Sequence, residues 1–264
     1  MNYLMEDSRE AERLAAKVNA PAWVDRYLAS QCARANHVLD VGCGPGVIAA
    51  ELAKRFPATD VVGLDMSTAR LAEARRNFAG LSNASTIQAE ATQLPFADQS
   101  FDLIYCRFLL EYLQNRAQAV REMARVCRPG GTVVLQDLDG QLVWHYPTDS
   151  ELEKDLGCVL GVLAKSGFDP FVGRKLFNLA RQAGLCNPTV QIDPYHVIAG
   201  TPTAQDLRLW ELKLDIALPA VTLALGDAAA AKELKARFLE YLRRDDTLTY
   251  SVLFTVNATK STLA

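Results

Sequence analysis

The stretch Val38-Leu39-Asp40-Val41-Gly42-Cys43-Gly44-Pro45-Gly46 decides the fold. A short apolar run ends in three alternating glycines, and Val47 to Arg55 follows with Ile48, Leu52 and Ala53 on one helical face. That order reads as strand, turn, helix. Glycine permits a tight turn and close approach of backbone to a ligand, and this turn opens onto a helix N-terminus. A GxGxG turn alone also serves as a plain strand-to-helix connection, so it needs a companion. Asp65 supplies one. It ends the next expected strand, Val61-Val62-Gly63-Leu64, where a carboxylate can accept from both hydroxyls of a ribose. Ser67 is already placed to cap the helix that runs to Phe78, so Asp65 is not needed there.

Outward from these two units, Ser85 to Ala89, Phe101 to Cys106 and Thr132 to Gln136 read as strands. Gln114 to Val126 brings Ala117, Val120, Met123 and Val126 onto one helical face, and Arg128-Pro129-Gly130-Gly131 turns the chain back into the sheet. Ahead of the core, residues 8 to 34 read as two short helices broken by Pro21. Beyond it, Leu138 to Phe171 looks irregular, Val172 to Ala183 should be a helix ended by Gly184, and Thr189 to Ile198 is strand-like. Ala204 to Arg244 is helical, and Leu248 to Val256 is a β-prone closing strand. Alternating β and α gives an open doubly wound sheet whose ligand crevice lies at the carboxyl ends of the strands.

With 264 residues, half of them hydrophobic and 22% charged, the chain can bury a large core. A net charge of -3 offers no basic face for phosphate neutralisation, which argues against nucleic acid. Cys32, Cys43, Cys106, Cys127, Cys158 and Cys186 are scattered without a CxxC pair or a His spaced for zinc, so no metal site or disulfide framework is expected. Reduced thiols, a charged N-terminus and the lack of a long apolar run fit a cytoplasmic protein that is not inserted in a membrane.

Four segments in order carry a resemblance: VLDVGCGPG at 38 to 46, VVGLDMS at 61 to 67, AEATQLPFADQSFDLIYCRFLLEYL at 89 to 113, and REMARVCRPGGTVVLQDLDG at 121 to 140. Together they resemble the class I S-adenosylmethionine-dependent methyltransferase family, in its small-molecule branch. The resemblance implies a Rossmann-like, mostly parallel seven-stranded α/β sheet with an antiparallel last strand and helical cap inserts. It implies one domain: an N-terminal helical cover at 1 to 36, a cofactor-binding core at 37 to 140, and substrate-cap inserts at 141 to 171 and 204 to 244. It also implies S-adenosylmethionine as cofactor and S-adenosylhomocysteine as product. By similarity the cofactor residues are Asp40, Gly42, Cys43, Gly44, Gly46, Asp65, Met66, Glu90, Ala91, Cys106 and Arg107. The chain departs from the family where the usual Gly-Asp-Ala is Ala89-Glu90-Ala91, and where relatives often carry His in place of Tyr112.

Methyl transfer from a sulfonium needs alignment above all, and a base only when the nucleophile arrives protonated. Candidates for that role are Glu111, Tyr112, Asp137, Asp139, His145 and His196, each of which also has an ordinary structural use as a cap, a loop bond or a buried histidine. Phe108, Trp144, Tyr146 and Tyr195 are candidates for an aromatic floor under a small-molecule acceptor, or for plain core. The cap helices have a rival use as a homodimer interface. Two other functions fit less well: a catalytically silent S-adenosylmethionine-binding regulatory subunit, and a nicotinamide-dependent oxidoreductase. For the latter the third glycine comes one residue too early.

Overall fold

In the computed structural model, which describes residues 18–262, seven strands form one sheet. They are His37–Val41 (β1), Asp60–Asp65 (β2), Ala84–Gln88 (β3), Phe101–Arg107 (β4), Cys127–Tyr146 (β5), Leu185–Ala199 (β6) and Leu248–Lys260 (β7). Their order is β3-β2-β1-β4-β5-β7-β6. All neighbours through β5 are parallel, whereas β7 runs antiparallel to both β5 and β6. The doubly wound α/β sheet with an antiparallel last strand is therefore present.

The helices are Ala20–Tyr27 (α1), Ala29–Cys32 (α2), Val47–Arg55 (α3), Thr68–Asn77 (α4), Arg116–Val126 (α5), Ser150–Lys165 (α6), Leu176–Gln182 (α7), Ala204–Leu225 (α8) and Ala228–Arg243 (α9). Alternation along the strands splits the core in two. Leu39, Ile104 and Leu135 face one side and pack under Val120, Met123 and Leu176. Val38, Leu103 and Tyr105 face the other and pack under Trp23, Leu28, Leu52 and Phe78. A third cluster lies off the sheet, where Leu156 of α6, Trp210 of α8 and Phe238 and Leu242 of α9 pack together as a cap. Each cap helix starts on a side-chain oxygen, as capping requires: Asp149 accepts from Leu152 N at 3.0 Å, Thr203 from Asp206 N at 3.1 Å, and Asp227 from Ala229 N at 2.7 Å.

One expectation changes. The irregular insert after Leu138 is strand as far as Tyr146, because the long β7 pairs it: Trp144 lies opposite Tyr250 and Tyr146 opposite Leu248. The irregularity falls between Asp139 and Trp144, around Gly140 at φ +78, where a Cβ would run into the Trp144 ring. Pro21 opens the second of the two expected N-terminal helices. It sits in the first turn of α1, where a missing N–H costs nothing. The earlier expected helix falls outside the described residues. Among the described helices, none is long and apolar enough to cross a membrane.

Candidate cofactor and acceptor site

At the carboxyl ends of β1, β2 and β4, under the cap, lies a cavity of about 880 Å³. That volume falls at the upper end of ordinary ligand pockets. Its lower wall contains Gly42, Gly44, Asp65, Glu90 and Arg107, and its upper wall includes Val162 and Leu163 of α6 with Ala220 and Leu223 of α8.

The glycine turn is tied to the sheet by its own amides. Gly42 N and Cys43 N both donate to Leu64 O, at 2.7 and 2.9 Å, and Gly46 N donates to Cys43 O at 2.9 Å. Gly44 N donates to Asp65 Oδ2 at 2.9 Å, while Asp65 Oδ1 accepts from Ser67 N at 2.9 Å. Each Asp65 oxygen thus holds one backbone amide and keeps a lone pair for a hydroxyl. Pro45 has no N–H, and within the turn itself the amides of Gly42, Cys43, Gly44 and Gly46 are all engaged by protein acceptors. A nucleoside lying against the turn would meet Asp65 at its ribose. Gly46 is fixed by packing, since at φ +70 a Cβ would come within 2.9 Å of the Phe78 ring and 3.0 Å of Ala74. Gly44, at φ +54, faces open space, with Arg70 Nη1 at 3.7 Å its nearest obstacle.

Met66, Glu90 and Ala91 line the same wall as Asp65. Glu90 Oε2 accepts from Thr92 Oγ1 at 3.4 Å. Asp40 is buried at the end of β1 and accepts from Tyr105 OH at 2.6 Å. Burial pushes its carboxyl up to about 7, against the pull of that hydrogen bond. Cys43 lines the cavity, and burial raises its thiol well above the ordinary value. Cys106 is buried in the core beneath β4 and does not line the cavity.

The structure sorts the expected acceptor-side residues. Phe108, Glu111, Tyr112, Tyr195 and His196 line the cavity. Trp144 stacks on Tyr250 with centroids 5.3 Å apart, Tyr146 is 71% exposed, and His145 bonds Thr249 Oγ1 at 2.9 Å between the rings of Phe238 and Tyr241; none of the three lines the cavity. Asp139 is buried and clamped by Arg174, whose Nη2 donates at 2.6 Å and whose backbone N donates at 2.8 Å, so its oxygens tie β5 to the turn before α7. Asp137 is buried as well. Its Oδ2 accepts from Glu111 N at 3.1 Å and its Oδ1 from Leu138 N at 2.9 Å, and burial followed by the nearby Glu111 carboxylate raises its pKa well above the usual carboxylate range.

Gln141 and Lys213 have no place among the sequence candidates. With its amide turned to satisfy both neighbours, Gln141 donates to Glu111 Oε2 at 2.8 Å and accepts from Lys213 Nζ. A lysine of the cap thereby reaches the acidic floor of the cavity, its ammonium 4.8 Å from the Trp210 ring centroid. The signal was present: Leu209, Lys213 and Ile216 follow helical spacing on the buried side of α8, and a lysine in such a stripe needs a buried partner.

Comparison with known proteins now adds to this geometry. Residues 38–131 match a methyltransferase domain family. The chain is 35% identical, over 58% of its length and 52% of the relative's, to an O-methyltransferase from Penicillium expansum. It is 37% identical, over 37% of its length and 43% of the relative's, to a ubiquinone/menaquinone biosynthesis C-methyltransferase from Geotalea daltonii. The chain spans about half the length of the curated relatives it matches. Its fold resembles the phosphoethanolamine N-methyltransferase 2 of Haemonchus contortus solved with S-adenosyl-L-methionine, with a TM-score of 0.57 at 19% identity, over 92% of this chain and 52% of that one. S-adenosylmethionine is the cofactor of this methyltransferase family, and the turn, Asp65 and Asp40 suit its uncharged ribose and its cationic methionine end.

Proposed function

We propose that the protein transfers the methyl group of S-adenosylmethionine to an O, N or C atom of a small molecule held beneath the cap. The observation that carries this reading is one continuous cavity shared by the glycine turn, Asp65 and the inner faces of α6 and α8. Asp65 would hold the ribose, Met66, Glu90 and Ala91 would flank the adenine, and Asp40 would face the cationic methionine end. When bound, the cofactor supplies an electrophilic methyl on sulfonium. Phe108, Tyr112, Tyr195 and the cap close off water and fix the line of approach, which in favourable cases contributes ~7–11 kcal/mol. Relatives named for transfer to oxygen and to carbon leave the atom open, and the cap, outside the matched segment, supports a role in choosing the acceptor.

The test is calorimetric titration with S-adenosylmethionine, followed by incubation with methyl-labelled cofactor and fractionated metabolites. Binding together with S-adenosylhomocysteine formation in one fraction supports the reading. Absence of binding overturns it, and binding without turnover in any fraction points to a silent regulatory subunit.

A further inference from the structure

Arg107 ends β4 on the same side of the sheet as Tyr105 and Trp23, and its guanidinium belongs to the cavity wall. The guanidinium carbon lies 3.9 Å from the Phe108 ring centroid and 5.7 Å from that of Trp23. Tyr195 lies close enough to favour its charged form. Its Nε–H, closed off from solvent, meets no acceptor among the described residues. The two carboxylates that act on it through space are committed elsewhere: Asp40 to the Tyr105 hydroxyl, and Asp137 to the amides of Glu111 and Leu138. A half-buried guanidinium without a paired carboxylate is costly, and arginine does not shed its proton to escape that cost. Its planar fork is shaped for a bidentate carboxylate.

The place of the fork in the sheet separates it from the nucleoside. Asp65, Met66 and Glu90 lie at β2 and just beyond β3, whereas Arg107 pairs in register with Gln136 of β5 and leans toward Tyr195 of β6. The walls beyond it are Phe108, Tyr195, His196 and the cap helices. A sulfonium arriving nearby would put a second positive charge beside this buried one, and a carboxylate between them offsets both.

We propose that Arg107 is the anchor for a carboxylate on the methyl acceptor, making the substrate class a small organic acid with an apolar or aromatic body. This inference rests on the methyltransferase reading above. The apolar part lies against Phe108, Val162, Leu163 and Ala220, and the acid group fixes the end of the molecule nearest the methyl. No group-transfer step is assigned to Arg107, which positions the acceptor.

The test uses the intact protein with Arg107→Met and Arg107→Lys, urea midpoints confirming that each folds. S-adenosylhomocysteine and 5′-methylthioadenosine are titrated first; benzoate and methyl benzoate are then titrated onto protein loaded with S-adenosylhomocysteine. Wild type should prefer benzoate over its ester by ~10–100-fold, the range for hydrogen bonds to a charged group. Arg107→Met should erase that preference with S-adenosylhomocysteine affinity held within about twofold, and Arg107→Lys should keep part of it. Equal binding of acid and ester by wild type overturns the proposal. So does loss of S-adenosylhomocysteine affinity in Arg107→Met with 5′-methylthioadenosine unaffected, which assigns the fork to the cofactor's own carboxylate. Failure of S-adenosylhomocysteine to bind wild type overturns the methyltransferase reading instead, before any acid is added.

Discussion

The floor of the site and the cap above it are built on opposite plans. In the floor, backbone does most of the holding: Gly42, Cys43 and Gly46 spend their amides on carbonyls, and Asp65 joins the turn to the start of α4. In the cap, side chains hold side chains, through an apolar cluster of its own and one buried lysine that reaches down to Glu111 by way of Gln141. Backbone constraints leave few residues that will serve, so the floor is written in a narrow alphabet. A cap that needs only apolar stripes and one polar bridge can change nearly every residue and still close. Under the proposed function, the difference fits a fixed cofactor below and an acceptor chosen by the cap above.

The sharpest way to break this comparison is at Gly46. Gly46→Val forces a β-branched residue into a left-handed conformation and drives its Cβ toward Phe78 and Ala74. Together, about 1–2 kcal/mol of backbone strain and about 1–3 kcal/mol of overpacking should lower stability by about 2–5 kcal/mol and abolish cofactor binding. Gly44→Ala should cost only the strain while still weakening the cofactor, because its Cβ meets nothing closer than 3.7 Å. Urea denaturation beside calorimetry reads both; equal destabilisation by the two variants would show that the turn is not held as described.

Asp65→Ala is expected to weaken S-adenosylmethionine by about 1.5–3 kcal/mol, the range for bonds to a charged group. It should also cost some stability, because Gly44 N and Ser67 N lose their acceptor. An unchanged dissociation constant with lowered stability would make Asp65 a brace for the turn and nothing more.

Asp40 sharpens the contrast through pH. Its carboxyl is raised in the folded protein to about 7, so the folded state holds a proton that the unfolded chain releases near pH 4. The stability this confers is fully present at acid pH and is lost as pH rises through about 7, a total of roughly 4 kcal/mol. A cationic ligand favours the charged carboxylate, so cofactor affinity should move the other way, falling by up to about tenfold per unit below pH 7. Calorimetry in buffers of differing ionisation enthalpy should detect proton release near pH 6. Asp40→Asn should flatten the profile, and a wild-type profile already flat between pH 5 and 8 would remove Asp40 from the methionine end.

The same contrast explains what the sequence makes legible. The glycine turn, Asp65 and the first two βα units are readable because each depends on neighbours a few residues away, in a conformation that few residue types allow. The Trp23 indole donating to Gln136 Oε1 at 2.8 Å joins residues more than a hundred positions apart, and nothing local announces it. Gln141 sits just past the bulge at Gly140, where the strand pattern is interrupted, and its partner Lys213 belongs to a helix whose position over the cavity depends on the fold of α6 and α9. His145, Trp144 and Tyr146 show the converse. The motif WHY looks chemical in a string of letters, yet β7 pairs with exactly that end of β5 and turns those residues to structural use.

The smallest expected effect is therefore the one that best tests the boundary of the cap. Tyr146 is 71% exposed and Trp144 stacks on Tyr250, both outside the cavity, whereas Phe108 and Tyr195 line it with their rings 5.6 Å apart. An exposed side chain away from any such feature is worth within about 0.5 kcal/mol, so Tyr146→Ala should leave stability, cofactor affinity and acceptor turnover nearly unchanged. Trp144→Ala should loosen the bulge at Gly140 and lower the urea midpoint without changing cofactor affinity. Tyr195→Ala removes a wall of the cavity beside Arg107, so it should lower acceptor turnover while sparing S-adenosylmethionine affinity. If Tyr146→Ala instead matched Tyr195→Ala in lost turnover, the acceptor would extend beyond the cavity and over the outer end of β5, and the line drawn between floor and cap would have to move.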